Sequence, residues 1–341
     1  MQPLPKFEYR EPASVAEAAR LLAEFGERAK LVGGGTDLVP SMRQGLFTPA
    51  CVISLQRIAG LRGIAWEAGV GLWIGPMTTL REVEANAEAV ARFPFLAAAA
   101  REVGSPQLRE MGTVGGNLCL DTRCRYYNQS EDWQDCVEAC VKRGGEFCKA
   151  SPNGRARKCF AVFSADLATA LVAADARVTL QSAGGARTID LADYYTGDGA
   201  SPHAGRPDEI LTEVLVPGRM QGVFGTYLKY RARQAIDYPI AGVALTLRAR
   251  DGRVHHARMV IGGVASRPLV VKGVAEMLEG KALDEALAES VARLARKAAT
   301  PLANTAGDRP HRKQMVYEFA RRALAAAAAH AAGTAGGKEA R

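Results

Sequence analysis

No apolar run in the sequence is long enough to cross a bilayer. The longest such stretches, Phe95–Ala100 and Ala323–Ala329, are short and Ala-rich, whereas a spanning helix needs roughly 20 apolar residues. The opening residues, Met1-Gln-Pro-Leu-Pro-Lys6, hold neither an apolar segment nor a cleavage-type site. No secretory leader is expected from them, and the expected location is the cytoplasm. Long runs of one charge are missing too. The net charge is +8, from 44 basic and 36 acidic residues spread along the chain. Without a basic stripe interleaved with aromatics, nucleic acid is not an expected partner. Two nucleotide-binding signatures are absent as well. Gly33-x-Gly35 has Leu38 where a Rossmann fingerprint needs its third glycine. Gly273 and Gly280-Lys281 have the wrong spacing for a P-loop, and Ala282 follows where Ser or Thr belongs.

What is present is an ordinary globular composition, 48% hydrophobic over 341 residues, enough for about two domains with a sizeable core. Ser14 and Glu17 form a capping box ahead of Val15, Ala19, Leu22 and Phe25, which recur at helical spacing. Strands are expected at 29–32 and 51–55, with hairpins at 64–74 and 177–189. A helix is expected at 165–173. From about 209 the pattern shifts to longer alternating strands, with a hairpin turn at Asp251-Gly252. Two helices follow, at 283–297 and 311–329. The reading is an α+β chain that changes domain near 215–225, with a frayed tail at 333–341.

Two glycine-rich loops stand out, Gly33-Gly-Gly-Thr-Asp-Leu38 and Gly112-Thr-Val-Gly-Gly-Asn-Leu118. Glycine lets backbone N–H groups crowd around phosphate oxygens, so two such loops suit a pyrophosphate gripped from both sides. Each loop taken singly also reads as a plain tight turn.

Cysteine is the other anomaly. Six of the seven, Cys119, Cys124, Cys136, Cys140, Cys148 and Cys159, fall within one polar segment at 119–160. In a chain of this size that clustering points to metal binding or redox chemistry. Four thiolates suit either an iron–sulfur cluster or zinc, and the Cys119-x₄-Cys124 and Cys136-x₃-Cys140 spacings leave zinc open. Cys51, in an apolar strand, reads as a small buried hydrophobe.

The ordered set of both glycine loops, Ser164-Ala-Asp166-Leu, Glu209-Ile-Leu211 and Tyr227-Leu-Lys229 resembles the FAD-binding medium subunits of the xanthine oxidase, or molybdenum hydroxylase, family. That resemblance spans about 1–330. It implies an FAD-binding domain of the vanillyl-alcohol-oxidase/PCMH type over 1–220, made of two α/β subdomains that meet near 55–60. A C-terminal α/β domain of the CO-dehydrogenase-flavoprotein type would follow over 221–332. It also implies that Leu31, Val32, Gly33, Gly34, Gly35, Thr36, Asp37 and Leu38 wrap the FAD. Val103, Gly104, Thr113, Gly116 and Asn117 would form the opposite wall. Asp166 would bind the adenosine portion, Leu211 would pack nearby, and Lys229 would place a cation near the flavin ring. Lys229 also reads as a solvent-facing residue of an alternating strand.

The Cys-rich segment adds about 40 residues to the family pattern. Leu118-Cys-Leu-Asp-Thr-Arg-Cys-Arg-Tyr-Tyr-Asn-Gln-Ser130 resembles the insertion of one branch, the 4-hydroxybenzoyl-CoA reductases. On that resemblance Cys124, Cys140, Cys148 and Cys159 hold a [4Fe–4S] cluster, and Cys119, just after the flavin loop, and Cys136, one helical turn before Cys140, are left as packing thiols. Six basic residues and one acid between Lys142 and Lys158 give a net +5, which suits an acidic ferredoxin as electron donor or simply a solvated loop. The implied partners are a large molybdopterin-binding subunit and a small subunit with two [2Fe–2S] centres. A hydroxylase subunit passing electrons to NAD or another acceptor, and a flavin scaffold braced by zinc, are the alternatives.

Overall fold

The computed structural model describes residues 3–336. Three sheets organise them. Strands β1 (Glu8–Arg10), β2 (Ala29–Val32) and β3 (Cys51–Ser54) form a small parallel sheet in the order β1-β3-β2. Parallel pairing needs a crossover, and the capped helix Val15–Phe25 supplies it, burying Ala18, Ala19 and Leu22. Cys51 sits fully buried in β3, as a packing thiol should. The second sheet is antiparallel, in the order β4-β5-β8-β6-β7. Its members are β4 (Ile64–Glu67), β5 (Gly71–Ile74), β6 (Arg177–Ser182), β7 (Gly185–Asp190) and β8 (Ile210–Pro217). The third contains β9 (Phe224–Tyr230), β10 (Ala241–Arg250), β11 (Arg253–Gly262) and β12 (Leu269–Val270), in the order β12-β11-β10-β9.

One helix lies at the centre. Every residue of Asp166–Ala173 is buried, because Leu167, Ala168, Ala170, Leu171 and Val172 face apolar neighbours all round. It contacts both β10 and β11 of the third sheet. A separate core packs β10 and β11 against helices Glu285–Ala298 and Arg309–Gly336. The expected fray at 333 is not seen as far as Gly336, because the helix continues there; 337–341 lie outside the described residues. No helix among the described residues is long and apolar enough to cross a membrane. The loop expected at 113–117 is also different. Thr113 caps a short helix, Val114–Leu118, by accepting the Gly116 N–H on its hydroxyl at 3.1 Å.

Arg312 is the largest fully buried side chain of the C-terminal unit. Its guanidinium donates to three carbonyls, those of Ile240, Leu302 and Gly263. Burial pulls its pKa down to about 10, so it still carries its charge at neutral pH. The Arg312→Met substitution strands those carbonyls and is expected to cost about 3 kcal/mol. Urea unfolding reads that cost as a lower midpoint, and an unchanged midpoint would refute the clamp.

Candidate functional site

Both glycine loops open onto one cavity of about 1080 Å³. Leu31 and Val32 end β2, and Gly33 to Leu38 continue as its first wall. The two central glycines are needed for different reasons. A Cβ on Gly34 would overlap the carbonyl oxygen of Met111, the last residue of the helix Pro106–Met111 that leads into the facing loop. Gly35 adopts φ +71°, where a side chain is strained. Val103, Gly104, Thr113, Gly116 and Asn117 supply the opposite wall, and Asp166 opens onto the same space.

Lys229 and Leu211 do not line the cavity. Leu211 is buried in the first core, paired with Leu180 across β6 and β8. Lys229 is wholly buried, its Nζ 2.9 Å from Asp166 Oδ2 and 2.8 Å from the Glu102 carbonyl. Tyr227 donates its hydroxyl to the other Asp166 oxygen at 2.6 Å. Asp166 and Lys229 are thus one unit rather than contacts at opposite ends of a cofactor, and the cation is compensated. Lys229 is not the solvent-facing residue that strand alternation allows. Burial pushes the Asp166 carboxyl up, against the pull of Lys229.

The 119–160 segment lies over the same cavity and contributes Cys119, Leu120, Asp121, Tyr127 and Lys142 to its wall. Arg123 forms an ion pair with Asp37 of the first glycine loop, and its guanidinium lies 5.1 Å from the Tyr238 ring centroid. Thr122 donates to the Gly199 carbonyl at 2.6 Å, and Asp198 accepts from the Cys159 N–H at 3.0 Å. Arg123 and Val162 exchange backbone hydrogen bonds at 2.7 Å. Lys142 turns inward, 2.6 Å from Asp121 Oδ1 and 4.6 Å from the Tyr127 ring centroid. The basic count of the segment therefore overstates its surface charge; Arg155, Arg157 and Lys158 remain exposed.

The six thiols of the segment part into groups. Cys140 and Cys148 bear electrostatically on Cys124, and Cys124 and Cys140 on Cys159. Cys124 thus lies in the range of Cys140 and Cys148, and Cys159 in that of Cys124 and Cys140. The four expected ligands do not close into a ligand shell: among the described residues no group of three or more His, Cys, Asp or Glu side chains is arranged to hold a metal ion. Burial pushes the Cys159 thiol up to about 12 and raises Cys124. Neutral thiols have no mutual pull, and ligand geometry forms together with the metal. In chemistry the set fits a thiolate-held group; in closure it does not. Cys119 and Cys136 are not the packing thiols the sequence suggested. Cys136 is exposed. Cys119 opens onto the cavity, its Sγ 3.3 Å from the Tyr194 hydroxyl.

His203, which carries no sequence signal, also lines this cavity. Its ring stacks on Tyr194 with centroids 5.0 Å apart. Nothing in the local pattern brings 203 beside 118; the short bridge to Tyr195 does. The residues at hand fit a bound dinucleotide. The cradle excludes side chains at Gly34, and the buried Asn117 Oδ1 and His203 Nε2 have no partner within the protein.

Comparison with known proteins decides the assignment. Residues 5–219 match the FAD binding domain in molybdopterin dehydrogenase, and 226–327 match the CO dehydrogenase flavoprotein C-terminal domain. The chain is an FAD-binding medium subunit of the molybdenum hydroxylase family. It is 29% identical over 328 residues to the carbon monoxide dehydrogenase medium chain of Hydrogenophaga pseudoflava, covering 96% of this chain and 99% of that one. It is 32% identical over 275 residues to an aldehyde oxidoreductase FAD-binding subunit of Escherichia coli, covering 77% and 82%. A solved carbon monoxide dehydrogenase of Hydrogenophaga pseudoflava superposes with a TM-score of 0.78 at 28% identity, covering 96% and 99%. This medium subunit is accordingly a flavoprotein component of an oxidoreductase with the expected mixed α/β architecture.

Gly34→Ala is expected to purify with most of its flavin missing, read as visible flavin absorbance per protein; full occupancy would exclude Gly34 from the cradle. A second expectation concerns pH. Burial lowers His203 to about 4 in the folded chain from an ordinary 6.5. Unfolded chains take up that proton first as pH falls. The stability is therefore full above about 6.5 and is lost progressively toward 4, by up to about 3 kcal/mol. His203→Gln should flatten this part of the stability–pH curve in urea titrations; an unaltered slope would assign it to other groups.

Proposed function

We propose that this chain is the electron-transfer subunit of a molybdenum-containing 4-hydroxybenzoyl-CoA reductase, which removes the 4-hydroxyl reductively to give benzoyl-CoA. The observation that carries this reading is the Cys-rich segment folded onto the flavin cavity, with Cys124 in range of Cys140 and Cys148, and Cys159 in range of Cys124 and Cys140. Bound FAD and a [4Fe–4S] cluster would supply one-electron exchange between a ferredoxin and the [2Fe–2S] and molybdenum centres of a small and a large partner subunit. Cys124, Cys140, Cys148 and Cys159 are the residues that would hold the cluster.

The chain's own residues position and insulate. The glycine loops hold the cofactor from two sides. The Arg123–Asp37 pair and the Thr122–Gly199 hydrogen bond tie the Cys-rich segment to its surroundings, and the Lys142–Asp121 pair braces the segment internally. Exposed Arg155, Arg157 and Lys158 present positive charge to an acidic donor.

A second reading has its own support. The similar chains include the medium subunits of a carbon monoxide dehydrogenase and of a nicotine 6-hydroxylase from Paenarthrobacter nicotinovorans. On it, this subunit delivers electrons from the flavin to NAD or another acceptor, and the thiols hold a structural zinc or nothing.

Metal analysis separates the two. Iron, acid-labile sulfide and zinc per FAD are measured on this chain purified without oxygen, with an EPR spectrum after dithionite reduction. About four iron and four sulfide per FAD are expected. Cys124→Ser, Cys140→Ser or Cys148→Ser should abolish that iron and leave FAD bound. Zinc, or no metal, would overturn the reductase reading and leave the flavin subunit intact.

A further inference from the structure

Three buried side-chain atoms on the cavity wall have no hydrogen-bond partner within the protein: Asn117 Oδ1, Asp121 Oδ2 and His203 Nε2. Asn117 belongs to the glycine loop, but Asp121 and His203 come from elsewhere. Asp121 opens the Cys-rich segment, and His203 lies in the loop between β7 and β8.

All three atoms are acceptors. The first two are oxygens, and Asp121 spends its other oxygen on Lys142 at 2.6 Å. A neutral imidazole carries its proton on one nitrogen only, and Nε2, which has no partner within the protein, is the nitrogen available to accept. Nε2 is then a bare lone pair. Stacking on Tyr194, with Phe163 6.0 Å away by centroids, fixes the ring's direction. Desolvation keeps it neutral at physiological pH, so the lone pair persists.

A buried acceptor left bare costs free energy of the order of 1–3 kcal/mol. A ligand with donors removes that cost; a pyrophosphate, which offers only acceptors, does not. The cavity is chemically divided. The glycine loops offer backbone N–H groups, and the Leu118 neighbourhood offers lone pairs.

We propose that His203 and Asp121 are FAD-binding residues that accept hydrogen bonds from the hydroxyl- and N–H-bearing part of the cofactor, leaving its pyrophosphate to the glycine loops. The inference rests on flavin binding alone and is independent of the reductase reading. It makes the Cys-rich segment part of the flavin site, because Asp121 comes from it.

The test uses the assembled enzyme. Release of FAD into potassium bromide is followed by fluorescence for the unaltered enzyme and for His203→Phe, His203→Gln and Asp121→Asn. The deflavinated complexes are then titrated with FAD, FMN and ADP. Phenylalanine keeps the stacked ring and removes the acceptor, so FAD should bind roughly 10-fold more weakly, the worth of one hydrogen bond. Glutamine restores an acceptor and should recover most of that loss. Asp121→Asn can turn a donor toward the cavity and should weaken FAD to a similar degree. A loss shared by FMN and not by ADP puts the acceptors on the flavin side, and the reverse puts them on the adenosine side; both uphold the proposal. Unchanged FAD affinity in His203→Phe overturns it, as does a His203→Gln enzyme as weak as His203→Phe. If His203→Phe fails to fold, unchanged affinity in Asp121→Asn overturns the role of Asp121 by itself.

Discussion

The buried ion pair between Asp166 and Lys229 is the constraint on which the architecture turns. Asp166 begins the central helix and opens onto the cavity, Lys229 belongs to the third sheet, and the same ammonium holds the Glu102 carbonyl beside the opposite wall. One cation therefore fixes three parts of the molecule at a single point. Two charges so deep are costly to desolvate, and removing one partner leaves the other uncompensated. The Tyr227 hydroxyl lightens that burden. The position of Asp166 at the start of a helix adds a favourable dipole for its carboxylate.

Around this point the cavity divides its tasks. The first glycine loop is shaped by steric exclusion, because Gly34 faces the Met111 carbonyl with no room for a side chain. The second is shaped by capping, because Thr113 turns the chain into a short helix and leaves Asn117 facing inward. The Cys-rich segment closes a third side, held by the Arg123–Asp37 pair to the first loop and braced by its own Lys142–Asp121 pair. Its polar residues have partners on the protein body, which is why a segment without periodicity still takes a definite course.

Much of this was legible beforehand. Alternation and capping signals located the strands and long helices, because those elements bury one regular face. Gly33 to Leu38 and Gly112 to Leu118 announced a cofactor cradle, because few other tasks put glycines so close together twice. Long-range meetings were not legible. Nothing near Lys229 says that it finds Asp166, 63 residues earlier. His203 is one of five histidines without a motif, and only the fold carries it to Leu118. The family pattern drew Leu211 toward the cofactor, while the β6–β8 register sends it into the core. The thiol spacings gave candidate ligands but no shell, since spacing along a loop does not dictate convergence.

The pairing of β5 with β8 has an architectural consequence. Gly71–Ile74 bonds to Val214–Pro217, so the second sheet already closes over a long excursion of chain. Closure entropy grows only as the logarithm of the excursion's length. Lengthening it by about 40 residues adds about 0.3 kcal/mol to the cost of bringing those strands together. A single well-made hydrogen bond, such as that from Thr122 to Gly199, offsets it. The fold can therefore carry a long added segment between β5 and β6 at little cost to the pairing of β5 with β8.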